Sequence, residues 1–323
     1  MKRWLRRALG VSLRLMIRLA ARLFGQGSKL SDGVSACRRL SAIGRATSLG
    51  YFNADQEAPR AVADACLAAL DAIGAARMAS PSASPAPGPA PQATYLSIKA
   101  PALGFDPGLV GEIVDRARGM GVGIHFDSHG AHQADATFEA IALAVRRTSE
   151  GTPSREWAIG CTLPGRWPRS LDDVERTLEL GVRVRVVKGQ WADPSAPDVD
   201  PRQGLLTVID RLAGRARQVA VATHDAPLAR EALARLQRAG TPAELELLLG
   251  LPPQGALKIA RELAVPVRIY VPFGVSWLPY ALLHVQKNPY VAWWAVKDAT
   301  VGRFVTPPLL PATANDRSAS PLR

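Results

Sequence analysis

VRVRVVKGQWADPSAPDVDPRQGLLTVIDRLAGRARQVAVATH, residues 182–224, holds a short β-branched run, a helical pattern and a second short run, and that triplet decides the fold. VRVRVVK at 182–188 and QVAVATH at 218–224 read as strands, and Leu205 to Ala216 between them reads as a helix. Strand, helix, strand in this order means two parallel strands joined by a crossover. Working outward, further strand-like runs are TYLSIKA at 94–100, VGIHFDS at 122–128, WAIGCTL at 157–163, AELELLL at 243–249 and PVRIYVP at 266–272. Pro107 to Met120, Asp135 to Arg147, Leu171 to Leu180, Ala226 to Ala239 and Gln254 to Leu263 supply helices between them. ATSLGYF at 46–52 completes eight strands, and eight such units close an α/β barrel of the (β/α)8 TIM type. An open doubly wound sheet is the alternative, but no GxGxxG follows a strand.

The chain has 323 residues, room for one large domain, and its 47% hydrophobic and 21% charged residues exclude wholesale disorder. Its net charge is +12, but Lys2, Arg3, Arg6, Arg7, Arg14, Arg18, Arg22 and Lys29 stand in residues 1–31 without one acid. The remainder is only mildly basic and shows no aromatic-studded basic patch, so nucleic acid is not expected as a partner. In residues 1–25 these cations interleave with leucines and Trp4; internal arginines exclude a spanning helix and a signal-peptide core. Two readings stand for this leader: a helix lying on the inner face of a membrane, or a solvated helix docked on its own domain. SPSASPAPGPAPQA at 80–93 is a Pro/Ala-rich loop. Cys37, Cys66 and Cys161 are far apart, odd in number and without CxxC spacing, which suggests neither disulfides nor zinc and fits a reducing cytoplasm.

In such barrels catalytic groups stand at the C-terminal ends of the strands, where the loops surround a ligand. Lys99, Asp127, Lys188, Thr223 and His224 end four of the strands here, and Tyr270 lies near the end of the last. Arg185 sits inside VRVRVV, where a charge needs an anion or a partner. His125, His129 and His132 in HFDSHGAH have a spacing that suits a metal only on a helix; this stretch starts as a strand, so loop or surface histidines are expected and no metal.

Four segments resemble the proline dehydrogenases. RVVKGQW at 185–191 is similar to that family's Arg-Leu-Val-Lys-Gly-Ala-Tyr strand, ATHD at 222–225 to its Ala-Thr-His motif, SIKAPALG at 97–104 to its Lys-Leu-Ser-Ala-Leu-Gly segment, and RIYVPFGVSWLPY at 268–280 to its last strand and following helix. They occur in family order and cover roughly residues 28–296. The resemblance implies a distorted barrel with N-terminal helices and a non-covalent FAD that takes hydride from the carbon beside an amine nitrogen. It gives residues 28–300 as the FAD-binding barrel; outside it, residues 1–27 are expected as a basic amphipathic helix and 301–323 as a flexible tail. By carry-over, Arg185 lies near the flavin N5, and Lys188, Thr223 and His224 hold the cofactor. Lys99, Asp127 and Tyr270 join Arg185 in catalysis, and Lys99, Trp191, Tyr270, Tyr280 and His284 surround the substrate.

The departures from the family pattern concern the substrate carboxylate. Leu283 and His284 stand where the family carries two arginines, Lys287 where it has glutamate, and Pro164 where a glutamine reaches the flavin. Gly50, Asn53 and Ala54 replace the family's aspartate and Gly-Glu ending, and Asp127 is followed by Ser128 and His129 rather than by an acidic pair. The expectation is oxidation of proline or a proline-like cyclic amine to the imine, with poor activity on L-proline and a quinone or other electron acceptor. The alternative is a degenerate barrel serving as a binding or regulatory protein.

Overall fold

The computed structural model describes residues 29–78, 94–149 and 159–274. The leader, the Pro/Ala-rich loop, Tyr280, Leu283, His284, Lys287 and the tail lie outside these residues. Strands β1 (Ala46–Tyr51), β2 (Tyr95–Ile98), β3 (Ile124–Phe126), β4 (Ile159–Pro164), β5 (Arg183–Val187), β6 (Val219–Ala222), β7 (Ala243–Leu248) and β8 (Val267–Phe273) close into one barrel in sequence order. Every neighbouring pair is parallel, β8 with β1 included. Each of the eight strand-like runs carries one of these strands.

Helix α1 (Leu30–Ala42) precedes β1; α2 (Pro59–Met78), α3 (Pro107–Met120), α4 (Ala134–Ser149), α5 (Ser170–Glu179), α6 (Pro201–Leu212), α7 (Ala226–Arg238) and α8 (Gln254–Glu262) each follow a strand. Three of them begin at an aspartate. Asp106 accepts from the amides of Gly108 and Leu109, Asp200 from those of Arg202 and Gln203, and Asp225 from that of Leu228, each with a proline in the first helical turn. The Asp200 cap explains why α6 starts at Pro201, ahead of the Leu205 expected from the apolar spacing.

Alternation along the strands sorts the barrel into two environments. Leu49, Leu96, Ile98, Ile124, Phe126, Cys161, Leu163, Val184, Val186, Val219, Val221, Leu245, Leu247, Ile269 and Val271 face outward and pack with the buried helix faces in the main apolar core. The alternate positions face inward, and many of them are polar. Arg183, Arg185, Glu244, Glu246, Arg268, His125, Ser48 and Ser97 are all buried in the barrel interior, where barrels of this type usually carry layers of branched apolar side chains.

Room for these long side chains comes from small neighbours. A Cβ on Gly50 would stand 1.9 Å from the Tyr270 hydroxyl, and one on Gly160 would stand 2.5 Å from Nδ1 of His125. His125 is therefore an interior group, 1% exposed, and not the loop or surface histidine expected. Its neighbours Ile124 and Phe126 take the outward face, which leaves His125 facing in.

Candidate functional site

Charges on β5, β7 and β8, with Asp127 just past the end of β3, satisfy one another inside the barrel. Arg268 donates from Nε to Glu244 (2.9 Å) and from Nη1 to the Thr47 carbonyl (2.8 Å), and it lies over the Tyr95 ring at 4.1 Å. Arg183 bonds Glu244, reaches Glu246 at 3.0 Å and donates to Nδ1 of His125 at 3.0 Å. Since an arginine can only donate, Nδ1 accepts, and Nε2–H of His125 donates to Thr162 Oγ1 at 2.8 Å. Arg185 then links this layer to the mouth, with Nη2 on Glu246 (2.6 Å) and Nη1 on Asp127 (2.6 Å).

Three guanidiniums thus meet three carboxylates. Burial alone would raise the Glu246 carboxyl, but Arg185 and Arg183 outweigh it and hold the group down at about 2. Burial, reinforced by Arg185, Arg183 and Arg268, keeps the His125 imidazole well below its ordinary value and hence neutral.

At the mouth Asp127 is the hub. Its Oδ1 accepts from Ser97 Oγ (2.7 Å) and Arg185, and its Oδ2 accepts from the Tyr270 hydroxyl (2.9 Å). Arg185 also lies over the Tyr270 ring at 5.2 Å. Burial, then the Asp127 charge, pushes the Tyr270 phenol well above its ordinary range, so it stays a donor. Lys99 donates to the Tyr51 carbonyl and sits 4.3 Å above the Phe52 ring. Burial lowers its ammonium, while Asp127 and Cys66 draw it back up. The structure thus brings Lys99, Asp127, Arg185 and Tyr270 together from four strands.

The other expected residues are distributed around the same end. Trp191, 47% exposed, stacks on His129 with centroids 5.7 Å apart and 16° between the planes. Its carbonyl accepts from Nε1 of the buried Trp167 at 2.8 Å. Thr223 is buried, and its Oγ1 accepts from the Asp225 amide at 3.2 Å. His224 has both ring nitrogens engaged by backbone: Nε2 accepts from the Leu248 amide (2.9 Å), and Nδ1–H donates to the Pro252 carbonyl (3.1 Å). It ties the end of β6 to that of β7 and has no nitrogen left to offer a ligand. Tyr280 and His284 lie outside the described residues.

Two features match the demands of an anionic, acceptor-rich cofactor. Nε of Arg185, like Nε of Arg183 deeper in the barrel, is buried without a hydrogen-bond partner among the described residues, a donor left over at the mouth. Lys188 is half-buried at the end of β5, where burial and the nearby Arg202 lower its ammonium, a setting that an anion would relieve. Among the described residues no three His, Cys, Asp or Glu side chains are grouped to hold a metal ion.

Arg183, Glu244, Glu246 and Arg268 were not singled out from the sequence, although a signal exists: VRVRVV, AELELL and VRIY each place two polar residues two apart, on one face of a strand.

No family model matches the chain. Among curated proteins it is similar to Proline dehydrogenase 1 of Bacillus subtilis strain 168, with 23% identity over 298 residues, 87% of this chain and 90% of that one. It is also similar to the Proline dehydrogenase of Deinococcus radiodurans, with 26% identity over 226 residues, 64% of this chain and 70% of that one. Among solved structures, proline utilization A from Bdellovibrio bacteriovorus matches 86% of this chain with a TM-score of 0.65 at 14% identity. The Corynebacterium freiburgense protein of the same name matches 90% with a TM-score of 0.62 at 15% identity. The chain spans about a third of the length of these two, 32% and 33%.

Proposed function

Since this chain is a relative of the proline dehydrogenases in sequence and in fold, we propose that it is an oxidoreductase that oxidises proline or a proline-like cyclic amine to the imine, with FAD as hydride acceptor. The observation that carries this reading is the convergence of Lys99, Asp127, Arg185 and Tyr270 at the C-terminal mouth of the barrel. Bound FAD supplies the hydride chemistry; the protein supplies position and charge.

Arg185 is immobilised by Asp127 and Glu246, so its spare Nε and its charge are fixed in advance beside the reacting centre. Asp127 spends its oxygens on holding Arg185 and Tyr270, and through them orients the site. Lys188 and Thr223 hold the cofactor. His224 fixes the loops around it. Trp191, with Tyr270, walls the substrate.

Of the interior cations, Arg183, Arg185 and Arg268 all carry carboxylate partners, whereas Lys99 bonds a carbonyl. Recognition of a substrate carboxylate therefore falls to Lys99, joined by His284 in place of an arginine pair. Each charge-assisted hydrogen bond that is missing costs about 1.5 to 3 kcal/mol, roughly tenfold or more in binding. The preferred substrate is accordingly a cyclic secondary amine whose carboxylate is masked or absent, and turnover of L-proline is weak.

The test is an absorbance spectrum of the purified protein, followed by anaerobic addition of proline, its esters and its ring homologues. A yellow protein bleached best by an amine without a free carboxylate supports the reading. A protein that stays colourless after reconstitution with FAD refutes it in favour of a degenerate binding barrel. Ordinary turnover of L-proline with a dye acceptor refutes the substrate preference alone.

The electrons leave to a quinone or another acceptor, and residues 1–25 offer peripheral contact with the inner face of a membrane. No helix among the described residues is long and apolar enough to cross one. Recovery of the full chain in the soluble fraction at low salt would remove the membrane contact.

A further inference from the structure

Resting on the amine-oxidation reading, we propose that His129 is the proton acceptor of this site: one of its ring nitrogens takes the N–H proton of the substrate's secondary ammonium. An amine can lose hydride from the neighbouring carbon only when its nitrogen has a lone pair. At neutral pH a secondary amine arrives protonated, so a base must first remove that proton. In the step, the amine N–H bond breaks, an imidazole N–H bond forms, and the lone pair stays on the substrate nitrogen. That pair becomes the second bond of the imine as hydride leaves to FAD.

The other titratable groups placed around the substrate are engaged. Asp127 accepts from Ser97, Arg185 and Tyr270 with its two oxygens. The Tyr270 hydroxyl donates to Asp127, and Lys99 is turned to the Tyr51 carbonyl and the Phe52 ring as a cation. His125 is 1% exposed below this layer, with both nitrogens bonded to Thr162 and Arg183, and His224 has both bonded to backbone.

His129 differs. It stands two residues past Asp127, half-buried, oriented by its stack on Trp191, and neither nitrogen has a hydrogen-bond partner among the described residues. The groups that face it are Lys99 at the end of β2, Asp127 at the end of β3 and His132 on the following turn. Burial lowers its imidazole, Lys99 and His132 add to this, and Asp127 opposes. The ring is therefore neutral at pH 7, as a base must be.

The experiment measures flavin reduction by the best cyclic amine from pH 5 to 9 in the holoprotein and in the His129→Gln and His129→Asn variants. Wild-type kcat/KM should rise with pH and level off at a value below the ordinary imidazole pKa. Both variants should keep the flavin spectrum, lose about 100- to 10 000-fold at neutral pH, and climb without a plateau towards the pKa of the amine. Added imidazole should restore part of the rate of a His129→Ala variant.

Independently of turnover, the ring resonance of wild-type His129, assigned by its loss in His129→Gln, should titrate below the ordinary imidazole value. A ring protonated at pH 7 overturns the proposal. So does an unchanged pH profile in both variants while the wild type reduces its flavin normally. Failure of the wild type to reduce flavin with any amine instead removes the proposed function, and this step with it.

Discussion

Replacing Glu246 by glutamine keeps the shape of the side chain and removes one charge from the barrel interior. Glu246 is 2% exposed and accepts from Arg185 Nη2 (2.6 Å), Arg183 Nη2 (3.0 Å) and Ser48 Oγ (3.2 Å). The substitution leaves three buried guanidiniums facing two carboxylates, and breaking a buried pair in this way costs about 3 to 5 kcal/mol. A second route gives the same size. The Glu246 carboxyl is held at about 2 against an ordinary 4.5, a difference worth on the order of 3 kcal/mol at neutral pH.

The sign follows from the depressed value. This stabilisation is complete above the ordinary carboxylate pKa and drains away as pH falls towards about 2. Guanidinium unfolding at pH 7 should therefore show Glu246→Gln about 3 kcal/mol less stable, or roughly 10 °C lower in Tm. Below pH 4.5 the two proteins should converge, because the wild type loses what the variant already lacks. A variant within about 1 kcal/mol of wild type at pH 7, or one whose acid profile runs parallel to it, refutes the claim that Glu246 is an ionised bridge.

Further outcomes are expected. Burial pushes the Cys37 thiol up to about 11 and those of Cys66 and Cys161 up to about 12, so a chromogenic disulfide reagent should find no reactive thiol in the native protein and all three after denaturation. Gly50→Ala puts a methyl into the Tyr270 hydroxyl. It should cost about 1 to 3 kcal/mol and change the tyrosine signal in near-ultraviolet circular dichroism as the bond to Asp127 breaks; an unaltered spectrum would contradict the contact. Asp200→Ala should cost about 1 kcal/mol through loss of the α6 cap, and an equal loss in Asp200→Asn would show that charge rather than the acceptor oxygen matters.

The fold was legible because both of its periodicities are strong in this sequence. The runs at 94–100 and 243–249 contain β2 and β7, and the Asp-Pro pairs at 106–107 and 200–201 start helices by a local rule. The site was legible in part. Arg185 could be marked because a charge in an apolar run needs a partner, but its partners Asp127 and Glu246 come from strands 58 and 61 residues away. Arg183, Arg268, Glu244 and Glu246 escape a reading residue by residue, although Arg183 and Arg268 share their strand faces with Arg185 and Tyr270 and the two glutamates share one with each other. Helical spacing makes the histidines of HFDSHGAH look like loop or surface residues, whereas the two-residue period of a strand decides where the His125 side chain goes.

The interior ion pairs also act as keys for strand alignment. Outside, valine, leucine and alanine are close to interchangeable, and the apolar layer alone would accept several offsets between neighbouring strands. A slip of β5 by one residue turns Arg183 and Arg185 into the greasy ring beneath the helices and brings Val184 and Val186 against Glu244 and Glu246. Such a misthreaded barrel strands several charges in a dry environment, so the same residues that crowd the lumen reject every closure but one.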